Sequence, residues 1–266
     1  MVRALSLRTG VCSDVGTFRT ENQDAAFAAS WGAGVADGVG GGPAGDLASA
    51  AFLHRLVAGR PSLDDAEELA ARVRVANWDL GAHVRRDPSL AGMATTFTGL
   101  WFSRRGALLL AHTGDSRGYL LREANLIRQT RDDSFVQVLV DQGLVSEEDA
   151  MTHPRRNLIT ASLRGEPSDL VRVTDRVPVR GDRWMLCSDG VSDYLPDEAI
   201  ADILRTVVEP QRAAETMVAA SLQAGSRDNV TVVVADVTEK APGAEAPVFA
   251  GAAADRYAED VDSVAG

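Results

Sequence analysis

Apolar residues recur with two different periods along the 266-residue chain. Short apolar runs and alternation predict strands over residues 5–12, 24–29 and 31–36, and no helical stretch separates them, which argues for antiparallel pairing. The third run is expected to end at Asp37, delivering its carboxylate into the glycine-rich turn Gly38-Val39-Gly40-Gly41. Three- and four-residue spacing then takes over at 46–57 and 64–86, where Leu69, Val73, Ala76 and Leu80 fall on one helix face. Pro61 and Asp87-Pro88 close these two helices.

Strands are predicted again at 95–102, 107–113, 118–121 and 126–129, joined by turns at 104–106, 114–117 and 123–125. A short amphipathic helix over 134–142 precedes another that Ser146 caps, with acids at 147–149 in its first turn; His153-Pro154 stops it. Residues 153–167, with Arg155, Arg156 and Arg164, read as an exposed excursion. Strands follow at 170–173 and 183–187, helices at 197–207 and 211–223, and a last strand at 230–237. Periodicity stops after residue 240, so one domain over 1–240 and a disordered acidic tail over 241–266 are expected.

Composition narrows the function classes. With 45% hydrophobic and 24% charged residues the chain can bury an adequate core. Its net charge of −11 opposes a non-specific grip on nucleic acid or an anionic membrane. No run approaches the roughly 20 apolar residues of a membrane span, and a cytoplasmic location is expected. Cys12 and Cys187 each sit inside an apolar stretch, which suggests buried thiols and gives neither a disulfide framework nor zinc-ligand spacing.

Four aspartates, Asp37, Asp115, Asp189 and Asp228, share one placement: each flanks the end of an apolar run, beside Gly, Ser or Asn. Singly, Asp115 and Asp228 are ordinary turn or cap residues. As a set, oxygen ligands without a Cys or His cluster suit hard cations such as Mg²⁺ or Mn²⁺. The run Gly40 to Gly45 also satisfies a dinucleotide-binding G-x-G-x-x-G, but the helix after it leads to another helix where that unit needs a parallel strand. Of the four histidines, His112 reads as a satisfied core residue and His54 and His83 as boundary residues.

Taken in order, the motifs resemble the metal-dependent PP2C-type (PPM) serine/threonine protein phosphatases in their bacterial form. The resemblance runs from about Ser6 to Val237. It rests on Ser13-Asp14-Val15-Gly16 with Arg19 and Asn22-Gln23-Asp24, on Ala36-Asp37-Gly38-Val39-Gly40-Gly41, and on Gly114-Asp115-Ser116-Arg117. Thr130 to Ser134, His153-Pro154-Arg155-Arg156-Asn157, Cys187-Ser188-Asp189-Gly190 and Arg227 to Thr231 continue it.

The resemblance implies an α+β fold, a four-layer α-β-β-α sandwich of two antiparallel sheets flanked by helices, with the metal site at one end. It implies two or three Mn²⁺ or Mg²⁺ ions. Asp37 would bridge two of them, with Asp189 and Asp228 completing the first, the Gly38 carbonyl serving the second, and Asp115 with Asp189 matching a third. Arg19 matches the phosphate-holding arginine; Gln23, Asp24 and Asn229 would lie just behind the ligands, and His153, Arg155 and Arg156 on a substrate flap. The implied reaction is hydrolysis of phosphoserine and phosphothreonine on proteins by in-line attack of a metal-bridging water. Expected partners are phosphoproteins made by a serine/threonine kinase, with no nucleic acid or membrane, and a monomer is expected.

Two positions depart from the family pattern. Val39 stands where some members carry a histidine, and Gln23 where the family usually has glutamate. An amide offers one acceptor oxygen and no charge, so a regulatory pseudophosphatase that binds phosphoproteins with weak or no turnover is the alternative.

Overall fold

The computed structural model describes residues 5–39, 44–239 and 246–256. Gly40 and Gly41 of the expected glycine turn, with most of the competing G-x-G-x-x-G run, lie outside them, as do 240–245 and 257–266. In chain order the elements begin with β1 (Leu5–Asp14), β2 (Asp24–Ala29), β3 (Gly32–Val39), α1 (Gly45–Val57) and α2 (Ala66–Arg86). After a 3₁₀ turn at Pro88–Leu90 come β4 (Ala94–Thr95), β5 (Phe97–Phe102), β6 (Leu108–Thr113), β7 (Arg117–Arg122) and β8 (Asn125–Arg128). Then follow α3 (Phe135–Asp141), α4 (Glu147–Ala150), β9 (Arg172–Arg176), β10 (Arg183–Cys187) and α5 (Asp189–Ser192). The described chain closes with α6 (Asp197–Thr206), α7 (Pro210–Gln223), β11 (Val230–Glu239) and β12 (Val248–Gly251).

All strand pairs are antiparallel. One sheet runs β1-β11-β10-β7-β8 and the other β12-β2-β3-β5-β6-β9, with β4 added on β3. Three apolar layers hold them. Leu7, Val35, Leu100, Leu110, Trp184 and Val233 fill the gap between the sheets. α1 and α2 cover the larger sheet through Phe52, Leu53, Leu69 and Leu80, and α6 and α7 cover the smaller one through Ile200, Leu204, Met217 and Val218. Because both faces of most strands are covered, β2 and β10 are buried at every residue and show no alternation. The four-layer sandwich read from the sequence is the observed fold. No helix among the described residues is long and apolar enough to cross a membrane.

Local chemistry explains the helix starts. Asp65 caps α2 by accepting from the Glu68 amide at 3.1 Å while Glu68 accepts from Asp64 N at 2.7 Å, a reciprocal cap. Ser134 and Ser146 cap α3 and α4 by accepting from the Gln137 and Asp149 amides, at 3.2 and 3.0 Å.

Four expectations change. Asp37 does not end a strand: β3 continues to Val39 because Gly38 and Val39 pair with Thr95 and Ala94. β1 likewise runs past Cys12 to Asp14, held by β11 along its whole length. Cys187 is buried, but Cys12 is only half-buried, at the rim of the core under α7.

The expected tail, where it is described, is no free appendage. Val248–Gly251 pairs with β2 on the edge of the larger sheet. Ala252 and Ala253 are buried against the α1 side, Phe249 stacks on His54 at 4.5 Å, and His54 Nε2 meets the Ala253 carbonyl at 2.7 Å. Low-complexity composition hid a four-residue strand whose small neighbours fit a crowded edge.

Candidate active site

The register gathers five acids at one end of the sandwich. Asp24 opens β2 directly opposite Asp37 of β3. Asp115 lies in the turn between β6 and β7, Asp189 opens α5 after β10, and Asp228 precedes β11. These segments meet because α5 approaches β11 very closely: a Cβ on Gly190 would fall 2.0 Å from the Asn229 carbonyl oxygen. On the other side, a Cβ on Gly38 would fall 2.3 Å from the Gly45 carbonyl oxygen, so the start of α1 is pressed onto β3.

Hydrogen bonds fix this geometry. The Asp37 amide donates to Thr96 Oγ1 at 3.0 Å, and its carbonyl accepts from Thr96 N at 2.8 Å and Thr95 Oγ1 at 3.0 Å. Ser188 Oγ donates to Asp24 at 2.7 Å and accepts from Thr231 N at 3.0 Å, tying β2 to the other sheet. Asn229 is the pin of the loop before β2. Its Nδ2 donates to the carbonyls of Val15 and Glu21 at 2.9 and 3.0 Å, and its Oδ1 accepts from Gln23 N at 2.8 Å. That loop carries Arg19, whose guanidinium donates to Asp228 at 2.8 Å and is 44% exposed. The Gln23 side chain lies against Gly45, where a Cβ would fall 2.8 Å from its Cδ.

The acids oppose one another's ionisation. Burial first, then the fields of Asp24, Asp189, Asp115 and Asp228, hold Asp37 well above the ordinary carboxylate range. Asp189 is raised for the same reasons, by burial and then by Asp115, Asp193 and Asp228. Burial pushes Asp24 up to about 6 although Ser188 and Thr231 donate to it. Asp115 rises to about 7 through burial, Asp132 and Asp193.

This donor set fits divalent cations. Carboxylates that resist ionising in one another's company are complemented by positive charge, and an all-oxygen set suits Mg²⁺ or Mn²⁺. Among the described residues no three of these acids are drawn close enough together to hold one ion between them.

A cleft of about 390 Å³ opens beside Asp115 and Asp189 and runs under α3 and α4. Arg19, Asp37 and Asp228 are outside its lining. Arg156 is within it and donates to Asp193 at 3.0 Å, whereas Arg155 lies over the Phe135 ring at 5.6 Å and its amide donates to His153 Nδ1 at 3.1 Å. Asp193 went unnoticed in the sequence. Its signal was the four-residue spacing from Asp189, which puts both acids on one face of α5 and its C-cap.

Two antiparallel sheets between helix layers, with an acid cluster where their strand ends meet, define a PPM-type phosphatase architecture. The chain is 42% identical over 251 residues to the serine/threonine protein phosphatase PstP of Mycobacterium tuberculosis, covering 93% of this chain and 48% of PstP. It thus spans about half the length of that relative. It is 33% identical over 210 residues to the serine/threonine phosphatase stp of Listeria welshimeri, covering 76% of this chain and 82% of that protein. The crystal structure of the PstP catalytic domain in complex with two manganese ions matches with a TM-score of 0.81 at 40% identity, over 88% of this chain and all of that one. No family model matches the chain. By these likenesses the chain belongs to the bacterial PPM-type serine/threonine protein phosphatases.

Proposed function

We propose that this protein hydrolyses phosphoserine and phosphothreonine on other proteins, using divalent cations held by Asp37, Asp189, Asp228, Asp115 and the Gly38 carbonyl. The observation that carries the reading is the mutually raised set Asp24, Asp37, Asp115 and Asp189 at one end of the sandwich. Bound cations would supply an activated water for in-line attack and neutralise phosphate charge.

The chain's own residues do the rest. Arg19 is half-exposed and tied to a carboxylate proposed as a ligand. Its planar guanidinium fork would suit two phosphate oxygens, and Asp228, its present partner, would be among the residues that hold a cation. Asn229 fixes the loop that carries Arg19 through the Val15 and Glu21 carbonyls, which would hold that arginine in place for phosphate. Asp24 receives the Ser188 hydroxyl and backs Asp37 without facing substrate. Arg155, exposed over the Phe135 ring, would meet the polypeptide around the phosphoresidue. The natural substrates are taken to be products of a serine/threonine kinase.

Phosphate release from a phosphothreonine peptide, followed with Mn²⁺ and with EDTA, tests this. Turnover should require the cation and fall at least a hundredfold in Asp189→Asn. Equal rates in both proteins would remove Asp189 from the site.

A further inference from the structure

The inner face of β9 is unlike that of any strand beside it. Arg172, Thr174 and Arg176 stand opposite His112, Leu110 and Leu108 of β6, so all three face the gap between the sheets. β8 is the edge of the other sheet. Between the two edges the sandwich opens into a cleft of about 490 Å³ lined by Arg131, Arg172, Arg176, His112, Gln129 and Thr174, among others, with no carboxylate in the lining. In a chain of net charge −11 this is a local reversal of sign.

The cations there are available. Arg176 donates to Gln129 Oε1 and to the Asp175 carbonyl, both at 3.1 Å, and makes no ion pair among the described residues. Arg172 meets Asp133 only at 3.4 Å and is 56% exposed; Arg131 pairs with Asp141, and both partners are open to water. The Arg131–Asp141 pair, exposed on both sides, is of the weak kind, and the long Arg172–Asp133 contact leaves the Arg172 fork open to a doubly charged anion. Inward-pointing charge also guards a sheet edge against pairing, but guarding an edge does not require the connections that follow.

Both neighbours of Asp115 are tied to this cleft. Asp133, which holds Arg172 through one oxygen, accepts from the Gly114 amide through the other at 3.2 Å. His112 bridges the Arg131 carbonyl and Thr98 Oγ1, at 2.9 Å each, and Thr98 Oγ1 donates to the Ser116 carbonyl at 2.8 Å. Drawing Arg172 off Asp133, or shifting Arg131, therefore alters the supports on either side of Asp115.

We propose that the cleft between β8 and β9 is a binding site for phosphoryl-bearing anions, separate from the acid cluster, and that its occupation is transmitted to the Asp115 turn. The chemistry required is a compact dianion that takes the Arg172 and Arg176 forks, with Thr174 and Gln129 adding donors. Free phosphate and a phosphorylated side chain both present it.

The test is an amide-resolved NMR titration of the full chain with Mg²⁺, using inorganic phosphate in one arm and, in the other, a peptide carrying a non-hydrolysable phosphonate analogue of phosphothreonine, so that no phosphate is released during the titration. Saturable shifts are expected at residues 172–176 and at His112. The apparent Kd should rise at least tenfold in Arg172→Ala/Arg176→Ala, rise less in Arg172→Lys/Arg176→Lys, and stay unchanged in Arg19→Ala. Saturation by phosphate identifies a free-anion site, and saturation by the peptide alone identifies a phosphorylated segment. Gly114 and Ser116 should show a component with the cleft's Kd that disappears in the double alanine variant. Non-saturating shifts at 172–176 in both arms, or a double variant that titrates like the parent, would overturn the site. Absence of the Gly114 and Ser116 component would overturn the transmission. The readout is binding at β9, so it stands apart from the phosphatase reading.

Discussion

Gln23 is where the chain's chemistry departs furthest from the family resemblance, and its surroundings indicate what the amide does. Its backbone is pinned by Asn229 and its side chain fills the space that Gly45 leaves against α1, close to the Gly38 carbonyl. Restoring an acid at this position adds a negative charge near a proposed cation, an effect of about a few kcal/mol at an effective dielectric near 20 before screening. Gln23→Glu should therefore lower the Mn²⁺ concentration for half-maximal rate by about threefold or more; an unchanged curve would show that the amide is neutral at this site. Gly190 gives a second residue-scale test. Adding a Cβ forces the Asn229 carbonyl away, and Gly190→Ala should cost about 1–3 kcal/mol of stability and weaken Mn²⁺ binding together, measurable by denaturant unfolding and calorimetry. The aspartates themselves were readable in the sequence because each sits beside a turn residue at the end of an apolar run. Their closeness was not, since it depends on contacts such as Gly190 against the Asn229 carbonyl, between segments far apart in the chain.

Secondary elements divide sharply in how well the sequence announced them. α2, α6 and α7 follow from spacing and breakers, and the central strands from apolar runs. β12 was hidden by its composition, and the extension of β3 through Asp37 by its pairing with β4, which no local pattern encodes. The consequence for β12 is measurable. Removing residues 246–266 exposes the β2 edge, Ala252, Ala253 and the His54 contact, so the melting temperature should fall by about 5 °C or more; a melting curve like the full chain's would mean that the strand adds nothing. Asp46 in the first turn of α1 also loses its Arg256 partner in that deletion. On the flap, two arginines that look alike in sequence differ in place. Arg155→Ala should raise KM for a phosphoprotein and spare p-nitrophenyl phosphate, whereas Arg156→Ala should alter both, because Arg156 holds Asp193. Equal effects of the two changes would argue against that division.

For the molecule as a whole, the acid cluster sets how stability responds to pH and cations. Asp24 and Asp115 titrate near 6 and 7 in the fold against 3.8 for an ordinary aspartate, and Asp37 and Asp189 are raised too. Groups raised in the fold bind more protons there than in the unfolded chain, so their contribution is fully present below about pH 4 and is lost as pH rises through 6 and 7. Metal-free protein should melt progressively lower between pH 5 and pH 8, and Mn²⁺ should recover more at pH 8, where the carboxylates are ionised and free to bind it. A melting temperature that rises over this range without metal would contradict the coupling of these acids. If this acid cluster is a cation site serving phosphoester hydrolysis, Asp37→Asn should disable both properties at once. Mn²⁺ binding by calorimetry and phosphate release from a phosphothreonine peptide should be measured on the same preparations of wild type and variant. The variant should keep its fold, bind Mn²⁺ at least tenfold more weakly and lose nearly all turnover; wild-type binding and turnover in the folded variant would show that the cluster does not serve this chemistry.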